Sequence, residues 1–448
     1  MTTQLTYGLT DPGHNGLSRH DSRYKGAMRL TWRIHQISRL AWGETTRLDD
    51  GILLINRAEL ERNLLQDQRL TGVDLQLVAA GESCRILPVF DIVEPRAKIE
   101  PAGADFPGVL TPVRPVGMGA TRVLRGMAVE ILDPSPPPNR VPILDLTAAP
   151  LDGWSSAEQC RYASLHHLVV VPRLKDGLDV NERCHALRLA NLRAATFLAR
   201  NIEGEPDEEQ SFELTPVDPG LPRVAYVYQM HSHQRPTVPG EGLLYGDNCR
   251  HLLPTIVHPN EVLDGAVLRA YDGLAIQTYG IQNHAVILDL YRRHGQDLDF
   301  AGVVVNVANQ LPEERDRATV MTGNLVKYAL KADGAVFSKS GGGAPHVDMA
   351  LSAERCEELG VKTTMLAWDL TSTDDGLQGA TLFSSPLLNA IVSVGSNNVD
   401  LPLPSVERVI APTPEMAERH QGRVEVQALR GVGRMDQLGS SRFTATFY

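Results

Sequence analysis

From residue 222 onward the chain alternates short, β-branched apolar runs with amphipathic segments. VAYVYQM (224–230) and FAGVVVNVA (300–308) are near-continuous apolar stretches of strand length, and LAIQTYG (274–280) is predicted as a shorter strand. NHAVILDLYRRHG (283–295) carries helical spacing and stops at a glycine. PEERDRATVMTGNLVKYALKA (312–332) opens on proline and acids and closes on lysine, the polarity that a helix dipole favours. GAVFSKS (334–340), VDMALSAERCEELG (347–360), KTTMLAWD (362–369) and NAIVSVG (389–395) continue the series. Buried strands alternating with helices imply a doubly wound parallel sheet covered on both faces. Ligands collect beyond the carboxyl ends of such strands, here the loops after VAYVYQM, GAVFSKS and NAIVSVG.

The first half is less periodic. Residues 26–43 mix apolar and basic positions, while 52–65 (ILLINRAELERNLL) predicts a strand running into a short helix. Residues 86–138 are rich in turns, interrupted by the strand-like LRGMAVEIL (124–132). VNERCHALRLANLRAATFLARNI (180–202) has the best helical spacing of this half, and the acidic EGEPDEEQ (203–210) follows as a linker. The expected architecture is α/β: an irregular β-rich domain over residues 1–210, then a doubly wound parallel-sheet domain over 211–448.

Composition narrows the function classes. A chain of 448 residues with 42% hydrophobic and 22% charged positions has ample material for buried cores, which excludes a disordered tail or a disulfide-stapled miniature. Acidic residues outnumber basic ones 54 to 43, so a nucleic-acid backbone is repelled on average. Neither a long apolar span nor a secretory leader is read, so no membrane partner and a cytoplasmic location are expected. The five cysteines, Cys84, Cys160, Cys184, Cys249 and Cys356, are an odd set without a CxxC pair, which argues against a disulfide framework or structural zinc.

One stretch carries specific chemistry: LLYGDNCRHLLPTIVHPNEVLDGAVL, residues 243–268. Here Cys249 follows Asn248 after a turn-prone Gly246-Asp247, beside His251. A thiol directly after a strained peptide bond can attack the preceding carbonyl and move the acyl group from nitrogen to sulfur. β-Elimination then cleaves the chain and leaves dehydroalanine, which hydrolyses to a pyruvoyl group. The dipeptide alone reads first as a small buried thiol in an ordinary loop.

The stretch YGDNCRHLLPTIVHPNEVLDGAV, together with DIVEPRAKIEPAGADFPGVLTPVRPVGMGATRVLRGMAVE at 91–130, Gln282-Asn283, DLYRRHGQDLDFAGVVV at 289–305, SGGGAPHVDMAL and SVGSNNVDLPLP, resembles one family. It is the pyruvoyl-forming proprotein of component B of the glycine, sarcosine and betaine reductases, related to the D-proline reductase proprotein. The likeness runs from about residue 80 to the C-terminus. It implies cleavage at Asn248-Cys249 and a pyruvoyl cofactor derived from Cys249. It further implies an amine or amino-acid substrate activated as a Schiff base, and a thiolate or selenolate attacking from a partner subunit, because this chain has no selenocysteine. Ile281 stands where the family often has histidine.

Asn248 thus supplies the attacked carbonyl, and His251 is a candidate base for the thiol or the departing group. Asn260, Glu261 and Asp264 read first as a helix N-terminus with acids against the dipole, and Glu261 or Asp264 alternatively as helpers in processing. His231 and His233 form an HxH pair at a strand end, placed as site lining, with a metal hydrolase as a weaker reading. Gln282, Asn283, Gly341, Gly342, Gly343, Asn397 and Asn398 complete the candidate substrate contacts, the glycines by close backbone approach ahead of a helix from Val347. Arg250 and Arg269 are the nearest cations for a substrate carboxylate. The alternative of another class is an uncleaved ligand-binding or scaffold paralogue.

Overall fold

Successive side chains of a strand point to opposite faces, and the central strand Arg223–Met230 uses both. Tyr226, Tyr228 and Met230 enter one apolar cluster, Ala225 and Val227 another. The computed structural model describes residues 28–136, 141–147, 150–151, 154–155, 160–232, 241–271, 276–309, 311–340, 344–369, 385–388, 390–396 and 400–440. The sheet built on this strand has six members, in the order Thr255–Val257, Asp299–Val307, Arg223–Met230, Gly334–Lys339, Lys362–Asp369 and Ile391–Ser396. Every pairing is parallel except that of the edge strand Thr255–Val257. Helix Ala285–Arg293 packs on the tyrosine face, and helices Pro312–Asn324 and Ala344–Glu358 serve the other. The α/β class with helices on both faces is therefore observed. The chain leaves the central strand for Asp299–Val307 on one side and returns to Gly334–Lys339 on the other, so the strand order reverses here, the place where such sheets open a crevice.

The first half contains two four-stranded sheets joined by strands that pass from one to the other. Val89–Val93 continues through Pro95 into Arg96–Glu100, and Gly119–Arg125 continues through Gly126 into Met127–Leu132. Gly126 lies at φ +88°, and a Cβ there would meet the Ile37 carbonyl oxygen at 2.5 Å. The run LRGMAVEIL is thus two strand ends meeting at a glycine bend. Helix Val180–Arg200 covers this junction; Asp179 and Glu182 form its capping box, and Leu187, Ala190, Ala194 and Leu198 enter the core. The predicted strand-to-helix segment is observed as Ile52–Ile55 followed by Arg57–Leu64.

Four expectations change. The acidic run expected as a linker, 203–210, ends inside the strand Glu208–Phe212, which pairs antiparallel with Leu30–Gln36. The segment predicted as a strand at 274–280 is instead entered by a helix, Thr278–Gln282, with residues 272–275 outside the described set. Thr278 donates from its backbone N (2.9 Å) and Oγ1 (2.6 Å) to the Asp91 carboxylate, and this tertiary tie decides what a short apolar run could not. The predicted helix at 312–332 is α-helical to Asn324 and then widens into a π turn, Leu325–Ala329. The helix expected from Val347 begins three residues earlier, at Ala344.

Strand Arg408–Ile410, late in the chain, runs parallel to Cys84–Ile86. Arg85, fully buried, pairs with buried Asp145 (Nε to Oδ2 2.9 Å) and donates to the carbonyls of Pro404, His420 and Gly422. Replacing Arg85 with methionine would bury Asp145 without its cation and strip those carbonyls of their donor. We expect a loss of about 3–5 kcal/mol, read as a lowered urea midpoint.

Candidate functional site

Leu244–Asp247 forms a tight turn: Asp247 N donates to Leu244 O at 2.9 Å, and Leu243 N to Asp247 O at 2.8 Å. Its central residues both have positive φ, Tyr245 at +50° and Gly246 at +83°, the signature of a type I′ turn. Glycine accepts this freely but tyrosine does not, so Tyr245 is held from two sides. Its N donates to Ala266 O (2.8 Å) and its hydroxyl to Glu261 Oε1 (2.6 Å). Against the turn lies the loop at Gly108. A Cβ on Gly108 would sit 2.0 Å from Tyr245 O, and one on Gly246 would sit 2.2 Å from Gly108 O. Two backbones touch here because neither residue has a side chain.

Asn248 and Cys249 follow directly. Asn248 Oδ1 accepts from Arg250 N at 3.0 Å, a side-chain bridge across Cys249, whose φ is +57°. For a residue with a Cβ this left-handed backbone costs roughly 1–2 kcal/mol. Cys249 is fully buried, in the same apolar cluster as Tyr226, Tyr228, Met230 and Ile281. Its thiol donates to Asp247 O (3.6 Å), and burial, with Asp247 adding to it, pushes the thiol up to about 12. The Asn248 carbonyl accepts from Ser232 Oγ at 2.8 Å. Ser232, just past the end of the central strand, is the residue that the HxH reading passed over; nothing in a sequence shows a hydroxyl meeting a carbonyl across a loop.

The other predicted residues fall in several places. His251 is exposed two positions beyond the thiol, and His231 is half-buried at the strand end. His233, Gly341, Gly342, Gly343, Asn397 and Asn398 lie outside the described residues. Among the described residues no three His, Cys, Asp or Glu side chains converge as a metal ion requires, and no helix is long and apolar enough to cross a membrane.

His258 caps the short helix Pro259–Leu263, and Glu261 completes the box by accepting from His258 N at 2.6 Å, as a helix N-terminus was expected there. Asp264 is a correction: the helix lasts so few residues that this acid sits at its C-cap. It is buried, pairs with Lys98, and accepts from Thr121 Oγ1 (2.6 Å) and Gly117 N (2.7 Å). Gln282 makes a reciprocal pair with the backbone of Glu94, at 2.9 and 3.1 Å, and Asn283 bridges Glu94 and Arg96. Burial alone would raise the Glu94 carboxyl, but Arg96 and Arg125 hold it below the usual range. Arg269 donates to the carbonyls of Phe90, Ala270 and Tyr271. A small cavity of about 20 Å³ opens between Arg96, Lys98, Phe106, Asp264 and Gln282, its cations already paired with Glu94 and Asp264.

A family model described as glycine/sarcosine/betaine reductase component B subunits matches residues 28–436. "Glycine reductase complex component B subunits alpha and beta" of Acetoanaerobium sticklandii is 30% identical over 440 residues, 92% of this chain and 98% of that protein. "Sarcosine reductase complex component B subunit alpha" of Peptoclostridium acidaminophilum is 30% identical over 407 residues, 86% and 89% of the two chains. "Betaine reductase complex component B subunit alpha" of the same organism is 30% identical over 397 residues, 84% and 86%. No solved structure matches the chain significantly. With the match extending through both halves of the fold and the whole turn around Cys249, the chain belongs to the family of glycine/sarcosine/betaine reductase component B subunits.

Proposed function

We propose that this subunit of a reductase complex is made as a precursor that breaks its own Asn248–Cys249 bond. One observation carries the reading: a buried cysteine held left-handed just past a type I′ turn, its thiol turned back on the Asp247 carbonyl one peptide before that bond. Attack of Cys249 Sγ on the Asn248 carbonyl carbon forms a C–S bond and breaks the C–N bond, the thiol proton passing to the released amine. Loss of the Cα proton then expels sulfur with Asn248 as a thiocarboxylate and leaves dehydroalanine at 249. Water converts the first to a carboxylate and sulfide, the second to a pyruvoyl group and ammonia, with no net oxidation or reduction. A relative of nearly equal length bears the names of two subunits, alpha and beta, as two pieces of one precursor would.

The residues present suit that group. Release of the left-handed strain at Cys249 is worth about fivefold to thirtyfold in rate if all of it is relieved at the transition state. Once formed, the carbonyl supplies an electron sink for an amine substrate. The attacking thiolate or selenolate comes from another subunit. Burial pushes the thiols of Cys84 and Cys356 up to about 12 and that of Cys160 to about 11, and raises that of Cys184. The small amine or amino acid is placed at the strand-order reversal by His231 and its neighbours. Exposed His251 is the candidate proton acceptor; Glu261 holds the turn through the Tyr245 hydroxyl, and Asp264 anchors the neighbouring Gly117 and Thr121. The high value of the Cys249 thiol itself favours a second reading, an uncleaved scaffold paralogue.

Intact mass of the freshly synthesised chain decides between them. We expect fragments 1–248 and 249–448, the latter with a hydrazine-reactive end, and no cleavage in Cys249→Ala; a persistent full-length wild-type chain removes the processing reading. Because the thiol lies near 12, its thiolate is a minority at neutral pH and grows about tenfold per pH unit. An unassisted thiol would make cleavage accelerate about tenfold per unit between pH 7 and 9 and would exclude His251 as its base, whereas a plateau above neutrality assigns that role to His251. Gly108→Ala, by displacing the turn, should slow the appearance of fragments about a hundredfold on a denaturing gel.

A further inference from the structure

The scissile carbonyl is not left to solvent. We infer that the Ser232 hydroxyl is a catalytic group of the cleavage, donating to the oxygen on which negative charge develops as Cys249 attacks; this rests on the processing reading above. The Ser232 Oγ to Asn248 O separation is 2.8 Å, a full hydrogen bond already present in the uncleaved chain. Its position is fixed by the fold, because Ser232 stands two residues beyond Met230, the last residue of a strand paired on both sides. Ser232 is 9% exposed, so its hydroxyl is largely shielded from bulk water, and the Asn248 it meets is half-buried.

The neighbouring groups have other duties. Asn248 Oδ1 is engaged by Arg250 N, and the Cys249 thiol points its proton at Asp247 O. In the step itself, Sγ bonds to the Asn248 carbon, the carbonyl π pair moves onto oxygen, and Ser232 O–H holds that oxyanion without giving up its proton. When the oxyanion collapses, the C–N bond breaks, the thiol proton ends on the Cys249 amine, and the thioester carbonyl retains the same hydrogen bond. Ser232 thus acts before elimination and has no part in the later hydrolysis. A serine serving only to anchor the loop would give the same static distance, and the experiment separates the two.

Wild type, Ser232→Ala, Ser232→Thr and Cys249→Ala chains are synthesised cell-free and followed by intact mass, with thermal unfolding of each. The expected result is cleavage in wild type, none in Cys249→Ala, about 10²–10³-fold slower cleavage in Ser232→Ala, and recovery to within about tenfold of wild type in Ser232→Thr, which keeps the hydroxyl. Hydroxylamine, which cuts thioesters, should not restore cleavage to Ser232→Ala. Ser232→Ala cleaving at the wild-type rate, rapid hydroxylamine cleavage of that variant, or a folded Ser232→Thr as slow as Ser232→Ala overturns the inference while leaving processing intact. An uncleaved wild type removes the processing reading itself, and the serine's role with it.

Discussion

Two glycines meeting backbone to backbone set the geometry around the candidate peptide bond. Gly108 and Gly246 approach so closely that a methyl group on either would overlap the other's main chain. That contact seats the turn carrying Tyr245 and Gly246, and the turn places Asn248 and Cys249 at the end of the central strand. A segment more than a hundred residues earlier therefore seats the turn that leads into Cys249. It is the same segment, through PAGADFPGVL, that carries much of the family likeness.

Around this contact the ionic groups are largely consumed in holding the frame. Lys98 neutralises Asp264, Arg96 neutralises Glu94, and Glu261 is shared between a helix cap and a tyrosine hydroxyl. Cys249 belongs instead to an apolar cluster that also holds Tyr226, Tyr228, Met230 and Ile281. In such surroundings one well-aimed neutral donor counts for more than it would in water, and an unassisted thiol ionises poorly. The chemistry proposed for the site is accordingly one of positioned dipoles and strained backbone rather than of charged side chains.

Much of this was legible in the sequence. Fully buried parallel strands read as continuous apolar runs, so VAYVYQM and FAGVVVNVA declared themselves, and 180–202 showed its helix by spacing. The segment at 274–280 did not, because a tie to Asp91, nearly two hundred residues away, chose helix over strand. Asp264 was misplaced because the helix ends so soon that an acid expected near its start falls at its end. Asn248 and Cys249 were visible as a pair, but the left-handed backbone at Cys249 and the hydroxyl facing the Asn248 carbonyl were not. Both are properties of how distant loops close on one another, and Ser232 between two histidines looked like a spacer.

The arrangement of the six-stranded sheet has one more implication. Arg223–Met230 lies before the Asn248–Cys249 link, while both strands that flank it come after. Severing that link would free nothing: the halves are woven together like the fingers of clasped hands, each completing the other's hydrogen-bond ladder. A nicked chain of this kind keeps its native size and shape, and only a denaturant reveals that it has become two.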